Sequence, residues 1–287
     1  MKNKIFGVAF SILIASCGRF DNKEESLDSK ERIVCVSKQY NEIIFALGAE
    51  KDIVAVDISS SYPNEIKKLP TVGYHRALVA EGILSMKPTI ILHDNNIGPD
   101  HVVKQLEDMK IPMKYFKNEA KDLKSTQGLI KEMGLYFKKE KRANELIVQL
   151  ENDMQVALDE KYKYSFVPKV LIIHYGQASN HYLVVTNKST AAKMINWAGG
   201  FLPVSGKKGM RQLSPEIIAK ANPDVILLTD FGYDRLGSMD KIKELPGISA
   251  TNAAKNNKIF RVEEHDLIYL GPRSGKITLA LEKLIHQ

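Results

Sequence analysis

Two stretches decide the fold: EGILSMKPTIILHD, from Glu81 to Asp94, and EIIAKANPDVILLTD, from Glu216 to Asp230. In each, a glutamate lies seven residues ahead of a proline, Pro88 or Pro223, and an apolar run ending in polar residues follows. Proline cannot continue a helix, so each copy reads as a short helix stopped before the proline and then a buried strand. The copies begin 135 residues apart. That spacing predicts two similar α/β lobes rather than one continuous sheet.

Outward from the repeat, each lobe opens in the same way. Ile33 to Val36 and Val170 to Ile173 are short apolar runs, each preceding a helix-like stretch that ends at glycine: NEIIFALG at Gly48, and STAAKMINWAGG at Gly199 and Gly200. Further strands are expected at Ile53 to Val56, Met113 to Phe116, Leu183 to Val185 and Lys258 to Val262. This alternation predicts mainly parallel sheets covered on both faces. Between the lobes, Leu123 to Tyr162 carries apolar residues at mostly helical spacing and no proline, as one long helix or two abutting ones. The fold class is therefore α/β: two Rossmann-like lobes, 31–122 and 163–287, joined by a long rigid helix over 123–162, with a ligand cleft between them.

Residues 1–16, MKNKIFGVAFSILIAS, have two lysines, an apolar run and small residues leading to Cys17. They read as a secretory signal peptide, too short to span a membrane. Ile14 to Cys17 also resembles the bacterial lipobox, which makes Cys17 the site of lipidation; ordinary cleavage is the alternative. Residues 17–30 are polar and charged and suit a flexible tether. Cys35, alone after Cys17, has no partner for an intrachain disulfide and reads as a small buried hydrophobe. An exported protein, lipid-anchored on the periplasmic or outer face of a membrane, is expected.

The formal charge of +7 is spread along the chain, not gathered into a basic face, so no nucleic-acid partner is expected. An anionic ligand or an anionic membrane surface is compatible with it. No GxGxxG, GxSxG, HExxH or CxxC occurs. Gly271 to Thr278 misses a phosphate loop by one residue and has Ile277 where the hydroxyl belongs.

Chemistry concentrates instead in Gly73-Tyr74-His75-Arg76. A phenol normally keeps its proton at neutral pH, and a nearby guanidinium favours the phenolate. Phenolate oxygen is a recognised axial ligand of haem iron. Tyr74 with Arg76 could thus hold ferric iron, or could be a packed loop tyrosine beside an arginine that pairs with a carboxylate.

The segment LPTVGYHRALVAEGILSMKPTIIL, Leu69 to Leu92, resembles the haem-binding periplasmic proteins of bacterial haem ABC importers. That family lies within the superfamily of cobalamin- and siderophore-binding proteins. The likeness extends through NEIIFALGAEKDIVAVD (Asn41 to Asp57), STAAKMINWAGG, LSPEIIAKANPDVILL (Leu213 to Leu228), LPGI and LGPR, so it covers most of the chain after residue 30.

The resemblance implies a haem clamped between two lobes as transported ligand, Tyr74 on iron and Arg76 supporting the phenolate. It also implies no catalysis. His75 stands at the family's variable position and could supplement or compete with Tyr74. His174 falls where some relatives supply a second ligand. It also implies docking onto an ABC permease dimer through Glu81 and Glu216, which could alternatively be residues favoured by the helix dipole. A monomer is expected.

His93, ending its strand, should face the cleft. Tyr175 and Tyr233 are candidate walls, and Lys207, Lys208 and Arg211 are candidate propionate contacts or plain solvated charges. The rivals are a zinc or manganese carrier using His93, His174, His265 and a carboxylate, a siderophore or cobalamin carrier, and an exported enzyme using His93-Asp94 or Glu263 to Asp266.

Overall fold

The computed structural model describes residues 31–176 and 180–287. The expected signal peptide, tether and Cys17 lie outside the described residues. The first sheet has four strands, β1 (Ile33–Cys35), β2 (Ile53–Val56), β3 (Ile90–Leu92) and β4 (Met113–Lys114), in the order β2-β1-β3-β4. All its pairings are parallel. Helices α1 (Lys38–Leu47), α2 (Ala80–Ser85) and α3 (Asp100–Asp108) connect them. Ser37 caps α1 by accepting the Tyr40 N–H, and Gly48, at φ 66°, ends it.

The stretch expected as one long helix or two abutting ones is two: α4 (Leu123–Tyr136) and α5 (Glu140–Glu160). They part at Lys138, whose backbone is left-handed at φ 55°. A capping box between Asp122 and Ser125 starts α4. On α5, Leu146, Leu150 and Met154 recur at four-residue spacing and are all buried.

The second sheet has five strands, β5 (Val170–Gly176), β6 (His181–Val185), β7 (Met210–Gln212), β8 (Val225–Thr229) and β9 (Ile259–Val262), ordered β7-β6-β5-β8-β9. Its helices are α6 (Thr190–Trp197), α7 (Pro215–Ala221), α8 (Asp230–Leu236), α9 (Met239–Lys243), α10 (Asn252–Lys255), α11 (Glu264–Ile268) and α12 (Ser274–Ile285). Here the expectation of mainly parallel pairing holds for β5-β8-β9 and fails for β6, which is antiparallel to both neighbours. Only four residues separate Gly176 from His181, and a link that short joins antiparallel strands.

The sequence repeat lands on matching places. The helix-strand copies are α2-β3 and α7-β8, and β3 and β8 each pair in parallel with the first strand of their sheet. One apolar core runs from Ile33, Ile43 and Leu92 through Leu129, Met133 and Leu150 to Ile172, Leu227 and Leu281. It therefore crosses from one sheet to the other through α4, α5 and α12. Smaller cores close the outer faces around Ile91 and Leu106 in the first lobe and around Ile226 and Ile248 in the second.

A polar seam adds direct contact between the lobes. Three side chains of α1 reach segment 264–273: Lys38 Nζ lies 3.3 Å from Glu264 Oε1, Gln39 Nε2 donates to the Leu270 carbonyl at 2.7 Å, and Glu42 binds His265 Nε2 at 2.5 Å and Arg273 Nε at 3.0 Å. Arg273 also sits over the Tyr62 ring, 3.5 Å from its centroid. Burial opposes ionisation of Glu42, but the His265 and Arg273 contacts outweigh it and hold its carboxyl below the usual range. Gly271 is required at the seam, because a Cβ there would come within 3.0 Å of the Glu42 carboxylate.

Candidate functional site

After β2 the chain does not enter an α-helix but runs to Val79 as a loop that holds one short 3-10 helix, Asn64–Lys68, and backbone bonds fix its course. Ile58 N–H donates to the Gly73 carbonyl, and the Leu78 and Gly98 N–H groups donate to Gly98 and His75 carbonyls respectively, all at 2.9 Å. Gly73 has φ 95°, a conformation that favours glycine. A Cβ there would meet nothing nearer than 4.0 Å, so the backbone, not crowding, selects glycine ahead of Tyr74.

The three side chains that follow divide the work. His75 is buried, its Nδ1 2.9 Å from Asp57 Oδ2 and 3.4 Å from Ser59 Oγ. Ser60 donates to the other Asp57 oxygen at 2.6 Å, and Ser59 donates to Asp57 Oδ2. Burial pushes the Asp57 carboxyl up, but its bonds from His75, Ser59 and Ser60 win and hold it below the usual range. His75 is thereby braced with Nε2 toward Asn96, 3.5 Å away. A carboxylate behind one ring nitrogen is also how ligating histidines are commonly oriented.

Tyr74 and Arg76 open onto a cleft of about 370 Å³ together with Lys38, His75, His174 and Glu264. Its apolar walls include Tyr175, Leu183, Met210, Ile268 and Tyr269. First-lobe and second-lobe residues thus face one space. Burial raises the Tyr74 phenol above its ordinary value; the Arg76 charge opposes this, and the Glu264 and Asp57 charges add to it. The expected support from Arg76 exists in direction but is outweighed. Arg76 Nε donates to Asn96 Oδ1 at 2.9 Å, and the raised pKa of Tyr74 leaves the ligand-free group a phenol at neutral pH.

His174, near the end of β5, has Nδ1 3.5 Å from Thr229 Oγ1 and 3.9 Å from Glu264 Oε2. Burial lowers its pKa, with Glu264 opposing and Lys38 assisting, which keeps the imidazole neutral and able to donate a lone pair. Lys38, at the start of α1, is the buried cation of the cleft.

Other expected residues lie elsewhere. His93 is buried against Tyr115, with Nδ1 accepting the Asn95 N–H at 3.2 Å, and it does not line this cleft. Tyr233 packs on the second lobe's own core. Lys207 and Lys208 are exposed and do not line the cleft. Arg211 pairs across the strands with Val184, while Leu183 and Met210 face the cleft, so strand alternation turns Arg211 away; it donates to the Ser205 carbonyl at 3.3 Å. Glu81 and Glu216 occupy the second position of α2 and α7, and both are exposed.

Lys38, Glu264 and Tyr269 line the cleft and Asp57 stands buried behind His75, and the sequence does not single them out as cleft residues. A signal was present for three of them. Asp57, Lys38 and Glu264 follow within three residues of the ends of β2, β1 and β9, and ligands of open α/β sheets bind beyond the carboxyl ends of strands.

Residues 33–265 match the family described as periplasmic binding protein. The chain belongs to that family. Among solved structures, this binding protein is similar to the periplasmic heme-binding protein RhuT from Roseiflexus sp. RS-1 in apo form, with a TM-score of 0.82 and 31% identity over 90% of this chain and 98% of that one. It is 27% identical to the Staphylococcus aureus high-affinity heme uptake system protein IsdE, over 88% of this chain and 86% of IsdE. It is also 27% identical to YvrC of Bacillus subtilis, an uncharacterized ABC transporter substrate-binding lipoprotein, over 85% of this chain and 76% of YvrC.

Proposed function

We propose that this binding protein captures haem in the cleft and delivers it to an ABC importer, held at the membrane by a lipid on Cys17. The observation that carries the reading is Tyr74, a phenol opening onto an apolar-walled slot that His174 of the other lobe also lines, in a chain similar to RhuT and IsdE. Tyr74 would bind the ferric iron as phenolate, releasing its proton, with Arg76 favouring the anion. His174, neutral in the cleft, would be the second ligand, and His75 would brace the loop through Asp57. Lys38 and Arg76 are the cations available to the propionates, in place of Lys207, Lys208 and Arg211. Glu81 and Glu216, matched in position on α2 and α7, would dock onto the permease. The protein performs no chemistry on its ligand.

A zinc or manganese carrier is disfavoured by particular contacts. His93 lies off the cleft, His265 is spent on Glu42, and among the described residues no three His, Cys, Asp or Glu side chains gather to hold a metal ion. Spectral titration of the purified protein with hemin, zinc and cobalamin separately tests the reading. Saturable binding of hemin with a tyrosinate charge-transfer band is expected. Saturable binding of cobalamin or zinc without hemin binding would replace it.

A further inference from the structure

The stretch that joins α5 to β5, Lys161-Tyr-Lys-Tyr-Ser-Phe-Val-Pro-Lys169, takes no part in the cleft. It carries three lysines, three aromatic residues and no acid. Tyr162 is 80% exposed, Phe166 61% and Val167 55%, values unlike those of any core aromatic in this chain. Phe201, 40% exposed, extends the patch, because its N–H and carbonyl bond the Pro168 carbonyl and Val170 N–H at 3.1 and 2.9 Å. Exposed aromatic and aliphatic side chains gathered in one short stretch are the kind of surface that marks an interaction site. Aromatic residues interleaved with lysine are the composition that suits the boundary between lipid headgroups and acyl chains, where rings bury and ammonium groups remain with anionic headgroups.

We infer that this face, residues 161–169 with Phe201, rests on an anionic lipid bilayer. The inference uses the lipid anchor at Cys17 from the reading above, and chain length allows both at once. The thirteen residues between Cys17 and Glu31 reach about 45 Å at full extension. Glu31 accepts a hydrogen bond from Tyr136, just before α5 begins, and the patch starts where α5 ends. A helix of 21 residues spans about 30 Å, inside the tether's reach. The acidic neighbours are Glu160, which pairs with Lys163, the buried Glu282, whose charge acts on Lys161 and Lys163, and Asp224, which accepts the Lys169 backbone N–H at 2.9 Å; Lys161 and Lys169 have no side-chain ion pair among the described contacts.

The placement also keeps the cleft clear. Val170 follows the patch and His174 and Gly176 line the cleft, so the seven-residue β5 separates bilayer from ligand by about 20 Å. A protein resting on this face holds its slot open to the aqueous phase.

The test uses full-length lipidated protein in a Trp197→Phe background, floated with vesicles of phosphatidylcholine alone or mixed in equal parts with phosphatidylglycerol. Phe166→Trp reports the patch, and Val148→Trp, on the exposed side of α5, is the control. Acyl-brominated lipid should quench Phe166→Trp on the mixed vesicles and leave Val148→Trp bright. Lys161→Ala, Lys163→Ala and Lys169→Ala should each lower the ratio of resting to free protein about fivefold. Flotation with both reporters equally bright would overturn the inference while leaving the anchor standing. Failure to float would overturn both. Equal brightness together with concentration-dependent dimers that Phe166→Ala abolishes would reassign the face to a second copy of the chain.

Discussion

The two lobes share a plan and divide the cleft's chemistry unequally. In both, the first strand is flanked by the strand of the helix-strand repeat, but on its other side the first lobe has parallel β2 and the second has the antiparallel β6 and β7. After β2 the chain runs through the loop that carries Asp57, Tyr74, His75 and Arg76. The antiparallel strands instead supply Leu183 and Met210 as wall, beside Tyr175 of β5. One lobe presents groups that can bond a ligand, and the other mostly surface that a flat apolar ligand can cover. Where a repeat diverges, function has been divided between its copies.

If the first lobe holds the iron, Tyr74→Phe should have the largest effect. Removing a ligand should exceed the ~10–100-fold typical of losing an outer-shell partner. Haem transfer to apomyoglobin should therefore accelerate more than about a hundredfold, and the tyrosinate band should vanish. A band that survives Tyr74→Phe breaks the comparison at once.

The pH profile comes next. The free Tyr74 phenol lies above its ordinary value, so if iron binds the phenolate, binding releases one proton. Haem affinity should then rise with pH, by about tenfold per unit across the acid-to-neutral range, and the slope should disappear in Tyr74→Phe. A flat profile in the parent protein would show that no proton leaves.

His174→Ala sharpens the division further. As second ligand from the wall-forming lobe, its loss should change the spin state and speed haem release by less than Tyr74→Phe does, because the phenolate would remain on the iron, with the tyrosinate band retained. Smallest of all is the expected effect of the double variant Glu81→Ala, Glu216→Ala on haem affinity, which should be unchanged while transport by the reconstituted importer falls. Unchanged transport would reduce both glutamates to helix-start residues.

The same asymmetry explains what was legible in the sequence. The repeat, the glycine-ended helices and the alternation of apolar runs are local signals, and they locate β1, α1, β3, β5, α6 and β8. For Leu183 to Val185, which is β6, mainly parallel pairing is expected because periodicity reports burial, not direction, and β7, three mostly polar and exposed residues, gives no strand signal. Tyr74 and His174 could be named as a pair only through resemblance, since nothing local joins residues a hundred positions apart. Lys38 escaped notice because a lysine at the start of a helix reads as a solvated charge, and its burial depends on Glu264 of the other lobe. His93 is expected at the cleft because it follows β3, but its ring lies beside Tyr115, 5.8 Å between centroids, and does not line the cleft.

The seam made by α1 bears on timing. The three charged contacts of Lys38 and Glu42 oppose parting of the lobes and reduce the fraction of molecules that gape, because parting would leave buried charges without partners. The continuous apolar core beneath them lowers that fraction further. Residence of a ligand is then governed by the bond it makes inside a fixed slot, with no hinge clock to release it. A membrane partner that emptied the slot by parting the lobes would have a mechanical task, prising Lys38 and Glu42 from segment 264–273.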